Sequence, residues 1–226
     1  MKRLHCIVEG QTEVAVFTSL LTPYILEKTG AYCLFTPIKH TGGGIVQFSK
    51  ILPELREHLK EKKIVTTYFD YYGIHESHNF KNYNKAKIEQ SNAKVGVELL
   101  EKGMTEFLNE KGINTRYFVP YIQLHEFEAL LFSSSESFEL VYDNDNITNE
   151  IQKINNRYPN PEDINDSPRT APSKRIIKIV EKHETSYEKV IDGEDLATLT
   201  SIDTIMEKCP RFSKWINTII LELNKL

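Results

Sequence analysis

The chain has 226 residues, 40% of them apolar, and its formal net charge at pH 7 is −4. This length and composition fit one domain of ordinary size with a small addition. No apolar run approaches the roughly 20 residues that span a bilayer, and the N-terminal apolar stretch ends at Val8, too early for a signal peptide. The acidic balance argues against a protein that grips nucleic acid tightly by itself, because phosphate binding favours a basic excess.

The cysteine content indicates a reducing compartment. Cys6, Cys33 and Cys209 share no spacing typical of a metal site, and their odd number argues against a disulfide framework. With no membrane segment in the pattern, we expect a cytoplasmic protein without a membrane partner.

The first half of the chain alternates strand and helix patterns. Apolar or β-branched runs predict strands at residues 4–8, 32–38, 64–69 and 116–123. Three- and four-residue apolar spacing predicts helices at residues 14–25, 46–60 and 85–109, and residues 124–132 should open another. This alternation predicts an α/β fold with a mainly parallel four-stranded sheet and helices on both faces.

The second half of the chain has a different character. Residues 142–168 are dense in Asn, Asp and Pro and are predicted to form a loop with one short helix at most, whereas the pattern from Ser173 onward is helical. We therefore divide the chain into an α/β domain, residues 1–134, and a mainly helical C-terminal appendage, residues 135–226.

Acidic residues follow three of the four predicted strands. Glu9 comes directly after the first strand and Asp70 after the third, while Glu126 and Glu128 lie just past the fourth. The carboxyl ends of parallel strands share one edge of a sheet, so these side chains are expected to converge. Glu13 lies in the first turn of the following helix, where the helix dipole favours an acid.

A divalent metal site explains this set of acids. A single acid after a strand is usually a solvated loop residue, but several converging carboxylates repel one another unless a cation lies between them. Mg²⁺ and Mn²⁺ prefer such oxygen ligands, and a pair of these ions supports phosphoryl transfer. The neighbouring His125 is more typical of a surface or core histidine, because hard cations prefer oxygen.

A glycine-rich stretch at residues 40–44 offers a different function. Loops rich in glycine can bind phosphate, which would make the protein a nucleotide-binding module. The stretch lacks the Gly-Lys-Ser/Thr ending of a P-loop, and a plain loop near the sheet edge is the favoured interpretation.

The motif Val8-Glu9-Gly10-x-Thr12-Glu13, with an acid after a later strand, resembles the TOPRIM domain in the form found in OLD-like (overcoming lysogenisation defect) nucleases. Residues 125–131 are similar to the acidic stretch after the last TOPRIM strand, with Glu128 on its final acid. Nearly the whole chain, including residues 69–73 and 171–175, further resembles a bacterial family encoded beside ATPases of the ABC/SMC type.

The resemblance implies a Mg²⁺- or Mn²⁺-dependent nuclease acting on DNA or RNA with an ATPase partner, in defence against phage. It implies metal ligands at Glu9, Glu13, Asp70, Glu126 and Glu128. OLD-like nucleases also place a lysine of the helical part near the metals. The Ser173-Lys174-Arg175 segment, which opens a helix after Pro172, is the candidate for that lysine, and the alternative for Lys174 is an ordinary lysine on a helix surface. The implied catalytic residues are Glu9, Asp70 and Lys174.

One departure from the family pattern leaves two alternatives. TOPRIM domains usually have Asp-x-Asp after the middle strand, but Tyr71 and Tyr72 follow Asp70. Either Glu126 or Glu128 completes the site, or only one metal is held firmly. The missing aspartate and the acidic net charge also favour a second function, a regulatory subunit that binds an ATPase and keeps a weakened site.

Overall fold

A parallel sheet forms the centre of the molecule in a computed structural model that describes residues 1–39, 44–89, 92–164 and 170–226. Its strands are β1 (Arg3–Val8), β2 (Tyr32–Pro37), β3 (Ile64–Asp70), β4 (Phe118–Val119) and β5 (Ile122–Gln123). The strand order is β2-β1-β3-β4, β5 continues along β3, and every pairing is parallel. The predicted parallel sheet is confirmed. The fourth predicted strand is interrupted at Pro120, because proline cannot donate to the strand ladder.

Helices cover both faces of this sheet, as predicted. They are α1 (Gln11–Thr29), α2 (Phe48–His58), α3 (Tyr83–Ile88), α4 (Ala93–Glu110), α5 (Glu128–Leu131), α6 (Glu136–Tyr142), α7 (Asp145–Arg157), α8 (Pro172–Lys182), α9 (Ile191–Thr200), α10 (Ile202–Lys208) and α11 (Pro210–Asn224). Within the described ranges, no helix has both the length and the apolar character needed to cross a bilayer.

Alternating side chains of the strands feed two separate hydrophobic cores. Leu4, Cys6 and Val8 of β1 point to the face covered by α1 and the C-terminal helices. Ile7, together with Phe69 of β3, points to the opposite face, which α2 and α4 cover. The first core therefore joins the sheet to the helical second half of the chain.

Trp215 of α11 is the clearest link between the two halves. Its indole Nε1 donates to Thr66 Oγ1 on β3 at 2.8 Å, and its ring stacks on Tyr121 with centroids 4.6 Å apart. The side chain is almost fully buried. Helix α11 therefore packs directly on the sheet. The domain boundary placed after residue 134 remains a prediction.

The structure corrects three details of the helix prediction. Residues 142–168 contain α7, a 13-residue helix, in place of a loop with one short helix at most. Only two of its apolar residues, Ile147 and Ile151, are fully buried, and Asn144 caps its N-terminus, which is enough for one buried stripe. The pattern at 85–109 gives two helices, α3 and α4, and that at 124–132 gives only α5. Residues 40–43 of the glycine-rich stretch lie outside the described residues.

Candidate metal centre

Glu9 and Asp70 meet at the carboxyl edge of the sheet. Glu9 follows the last residue of β1, and Asp70 is the last residue of the neighbouring β3. The backbone N–H of Asp70 donates to Glu9 Oε1 at 2.7 Å. Two acids that are 61 residues apart in the chain are therefore held side by side by the register of two parallel strands.

Gly10 gives Glu13 room to reach the same place. A Cβ atom at residue 10 would lie 3.2 Å from Glu13 Oε2, closer than most Cβ contacts. Since Gly10 has an extended backbone with φ −149°, the restriction is one of space. The absence of a side chain at Gly10 lets α1 begin with its buried acid, Glu13, turned toward Glu9.

The three acids line one cavity, which we call the acidic cavity. Its volume is about 530 Å³, and its lining includes Glu9, Glu13 and Asp70 together with Lys189. Lys189 belongs to the segment between α8 and α9. The acidic cavity therefore brings together side chains from both halves of the chain.

Glu128 lies beneath Lys189. Its carboxylate is fully buried, and Lys189 Nζ lies 3.0 Å from Glu128 Oε1. The ammonium also lies 5.3 Å from the centre of the Phe127 ring, within the range of a cation–π interaction. Glu128 and Phe127 thus fix the position of a lysine that the sequence did not identify.

Glu9 and Asp70 have raised pKa values. Burial raises the pKa of Glu9 to about 7, and the charge of Glu13 raises it as well, against the Asp70 N–H bond and Lys189. Burial also raises the pKa of Asp70 well above its usual range, with a further increase from Glu9 and Glu13. Burial is the larger cause for both groups, and the repulsion between neighbouring carboxylates adds to it.

The pKa values of Glu128 and of its partner Lys189 are both raised. Burial raises the pKa of Glu128 to about 7, although Lys189 acts to lower it. Burial acts to lower the pKa of Lys189, but the charges of Glu128, Glu13 and Asp70 outweigh it and raise the pKa. The lysine keeps its positive charge, and a single ammonium does not balance the surrounding carboxylates.

Glu126, His125 and Tyr72 have other contacts. Glu126 Oε2 accepts a hydrogen bond from the backbone N–H of Ser173 at the start of α8, at 3.0 Å. His125 stacks on Tyr72, with ring centroids 5.1 Å apart. Tyr72 stands where the second acid of Asp-x-Asp would be, and it is about half exposed.

Lys174 lines a different cavity, formed between α7 and α8. The lysine that lines the acidic cavity beside Glu9, Glu13 and Asp70 is Lys189. Lys189 carried no sequence signal apart from its place between two helical patterns. The contact was invisible in the sequence because it depends on how α9 packs against Phe127.

The acids of the centre are of the residue type that a hard divalent cation prefers, although among the described residues only His5, Glu54 and His58 bring three ligand atoms within 4.8 Å of one another. Glu9, Glu13, Asp70 and Glu128 supply carboxylate oxygens, which Mg²⁺ and Mn²⁺ prefer. In the described part of the chain, no hydrogen bond reaches the carboxylates of Glu13 or Asp70, and Glu128 Oε2 is buried without a hydrogen-bond partner. Carboxylate oxygens that face a cavity without a hydrogen-bond partner are available to bind a cation.

A second cluster of ligand-type residues lies away from this edge. His5, Glu54 and His58 bring ligand atoms within 4.8 Å of one another. Lys63 Nζ, however, lies 3.0 Å from His58 Nδ1, and its charge lowers the pKa of both histidines after burial does. Both histidines thus have polar partners inside the protein, Thr36 for His5 and Lys63 for His58, so we interpret the cluster as a buried polar network.

Comparison with solved structures finds a similar backbone fold over nearly the whole chain. The C-terminal region of the Xanthomonas campestris pv. campestris OLD protein, phased with platinum, shows 15% identity and a TM-score of 0.47, covering 99% of this chain and 93% of that one. The same region phased with mercury shows 16% identity and a TM-score of 0.44, covering 100% and 96%. Comparison with curated proteins gives no match.

Comparison with protein families identifies the chain at the sequence level. A model described as Domain of unknown function (DUF4276) matches residues 8–220. The match begins at the end of β1 and extends into α11, so it includes the acidic cavity and both halves of the chain. The chain belongs to the DUF4276 family.

Proposed function

We propose that the protein is a nuclease that depends on Mg²⁺ or Mn²⁺ and hydrolyses phosphodiester bonds of DNA or RNA. The observation that carries the proposal is the meeting of Glu9, Glu13 and Asp70 with Lys189 in one cavity at the carboxyl edge of a parallel sheet. Such an edge is where open α/β folds bind ligands. The TOPRIM-like motif at residues 8–13 lends independent support.

Four carboxylates are proposed to hold the cation: Glu9, Glu13, Asp70 and Glu128. Glu128 is the candidate for the acid missing from the Asp-x-Asp pattern, because its buried carboxylate lies 3.0 Å from the ammonium of Lys189, which lines the acidic cavity. Glu126, which the sequence offered as an equal candidate, is engaged with α8. When bound, the divalent ion supplies the positive charge that stabilises the entering and leaving oxygens of an in-line displacement.

Lys189 is proposed for the role that the sequence gave to Lys174. Its ammonium lines the acidic cavity and offsets negative charge on the phosphoryl oxygens in the transition state. Glu128 holds the ammonium in place at 3.0 Å. In the reaction, water forms a new bond to phosphorus, the ester P–O bond breaks, and the products are a phosphomonoester and a free hydroxyl.

The proposed biological setting is phage defence with an ABC/SMC-type ATPase as partner. Two features support a partner: the net charge of −4, which limits the grip of the chain on nucleic acid, and the likeness to a family encoded beside such ATPases. The same features support the second candidate, a regulatory subunit that binds the ATPase and has little activity of its own.

Plasmid and RNA cleavage in Mn²⁺ tests the function. We expect cleavage by the wild-type chain and at least a 10²-fold loss in Glu9→Gln, because the substitution removes a proposed ligand and leaves the fold intact. Thermal unfolding of both proteins serves as the folding control.

Calorimetric titration with Mn²⁺ separates the two candidate functions. Mn²⁺ binding that is lost in Glu9→Gln supports the nuclease. Equal cleavage by both proteins contradicts it. Absence of Mn²⁺ binding, together with co-purification of an ATPase, supports the regulatory subunit instead.

A further inference from the structure

A strongly basic groove, which we call the lysine groove, runs between α7 and α8. Its volume is about 600 Å³. Its charged lining consists of Lys153, Lys174, Arg175, Lys178, Lys182 and one acid, Glu150. The lining thus carries a net charge of +4 in a chain whose total is −4.

Three of these lysines lack a counter-charge. Lys182 binds Glu150, with Nζ 2.7 Å from Oε1. Lys153, Lys174 and Lys178 are exposed and form no ion pair within the described ranges. Close like charges repel one another and work against the compact state. A solvated helix surface usually mixes both signs, so this one-sided set indicates a binding surface for an anion.

The spacing of the basic residues fits a phosphate backbone. Lys174, Lys178 and Lys182 follow one another at four-residue intervals along α8, about 6 Å apart on the same side of the helix. The row therefore spans about 12 Å, and one strand of a duplex presents a phosphate every ~3.4 Å along its axis. The floor between the two helices includes Ile154 and Ile179, which offers apolar contact to the sugars.

The lysine groove begins beside the segment that carries Glu128, one of the four proposed metal ligands. Ser173, one residue before Lys174, donates its backbone N–H to Glu126. Glu126 stands two residues before Glu128, which binds Lys189 at the acidic cavity. The first turn of α8 is thus fixed to the strand-end segment on which the proposed chemistry depends.

We propose that the lysine groove binds one strand of the sugar–phosphate backbone of the nucleic acid that the acidic cavity cleaves. The assignment of that strand as the substrate rests on the proposed nuclease function. The binding itself does not, because it needs no metal. The row of lysines spans only about three to four phosphates. Part of the nucleic-acid binding is therefore left for the proposed ATPase partner to supply.

Fluorescence anisotropy of the full chain in EDTA tests the lysine groove without any hydrolysis. The probes are labelled 20-nucleotide single-stranded DNA and RNA, titrated at several salt concentrations. Neutralising Lys153→Gln, Lys174→Gln and Lys178→Gln together should make the slope of log affinity against log salt shallower by about 2. The affinity at 50 mM salt should fall by about 10²-fold.

A matched triple variant, Lys60→Gln, Lys62→Gln and Lys111→Gln, makes the same charge change at exposed positions on the segments that lead into β3 and β4. It should leave the slope within about 0.5 of the wild type, and both triple variants should unfold at the wild-type temperature. The proposal is overturned if the groove variant binds like the wild type, which would assign the groove to an acidic protein partner. It is also overturned if both triple variants lose binding equally.

Failure of the nuclease proposal would look different. A wild-type chain that binds the oligonucleotides through the lysine groove but never cleaves them in Mn²⁺ refutes the enzymatic function alone. A chain that cleaves with unchanged efficiency after the groove substitutions refutes only the proposal that the lysine groove binds the substrate.

Discussion

Gly10 shows how a single missing side chain shapes the acidic cavity. A Cβ atom at this position would crowd Glu13 Oε2, which explains in physical terms why a glycine stands between Glu9 and the start of α1. Lys189 is the residue of the acidic cavity that the sequence did not identify. The lysine is about half exposed, yet its ammonium pairs with a fully buried carboxylate.

Substitution of Lys189 tests its proposed role against that of Lys174. Lys189→Met should lower kcat by about 10²-fold, in the range found when one transition-state donor is removed. Lys174→Met should raise KM with kcat unchanged, because it removes only uniform substrate binding. Single-turnover kinetics in Mn²⁺ measures both, with Lys111→Met as the control. An equal loss of kcat in the Lys189 and Lys174 variants would contradict the assignment.

The pH dependence of stability follows from the pKa of Glu9. Since the folded state raises this pKa from an ordinary value of about 4.5 to about 7, the folded state holds more protons than the unfolded state in that window. Stability without metal should therefore fall as pH rises from about 4.5 through 7. Thermal unfolding at pH 5.5 and 7.5 measures the effect.

Mn²⁺ should reverse this trend, because protons compete with the cation for the same carboxylates. The increase in Tm on adding Mn²⁺ should be larger at pH 7.5 than at pH 5.5. Glu9→Gln should reduce both the loss of stability with rising pH in the absence of metal and the increase in Tm on adding Mn²⁺. A gain in Tm that is equal at the two pH values would contradict the placement of the cation on these groups.

At the scale of elements, the centre depends on how three segments pack. β1 and β3 hold Glu9 beside Asp70, and α9 holds the segment that carries Lys189. The contact that fixes α9 is tight, because a Cβ atom at Gly193 would lie 2.9 Å from Cζ of the buried Phe127 and 3.1 Å from the Tyr187 hydroxyl.

Gly193→Ala tests this packing. The added methyl group must displace Phe127, and overpacking of this kind costs about 1–3 kcal/mol, against a helix-propensity gain of up to about 1 kcal/mol. We expect a net loss of about 1 kcal/mol in urea unfolding and weaker Mn²⁺ binding, since Phe127 adjoins Glu128. Thr198→Ala, exposed on the same helix, should change stability by less than about 0.5 kcal/mol. A stabilised Gly193 variant would contradict the account.

At the scale of the whole molecule, one hydrophobic core joins the sheet to the C-terminal helices. Trp215, the only tryptophan of the chain, lies at that junction. Its fluorescence therefore reports the docking of α11 on β3.

Urea unfolding should show a single cooperative transition. We expect tryptophan fluorescence and far-UV circular dichroism to give coincident curves, because separating α11 from the sheet exposes the shared core. A fluorescence transition at clearly lower urea than the circular dichroism transition would contradict this expectation. It would support independent domains divided after residue 134.

Local pattern sufficed for much of the architecture. Continuous apolar runs predicted the parallel strands, and three- and four-residue spacing predicted most helices. The prediction failed where few residues decide the outcome. In α7, two buried isoleucines and the Asn144 cap were enough for a helix in an Asn-rich segment, and Pro120 interrupted the last strand.

The sequence by itself determined the alternation of strands and helices and the acids at the strand ends, because both are properties of neighbouring residues and of strand direction. Only the tertiary structure decided which acids and which lysine share a cavity. That choice depends on contacts between distant segments. Glu126 accepts a hydrogen bond from the first turn of α8, and Glu128 pairs with Lys189. Lys174 lines the lysine groove between α7 and α8. Such contacts arise from packing, and no local pattern encodes them.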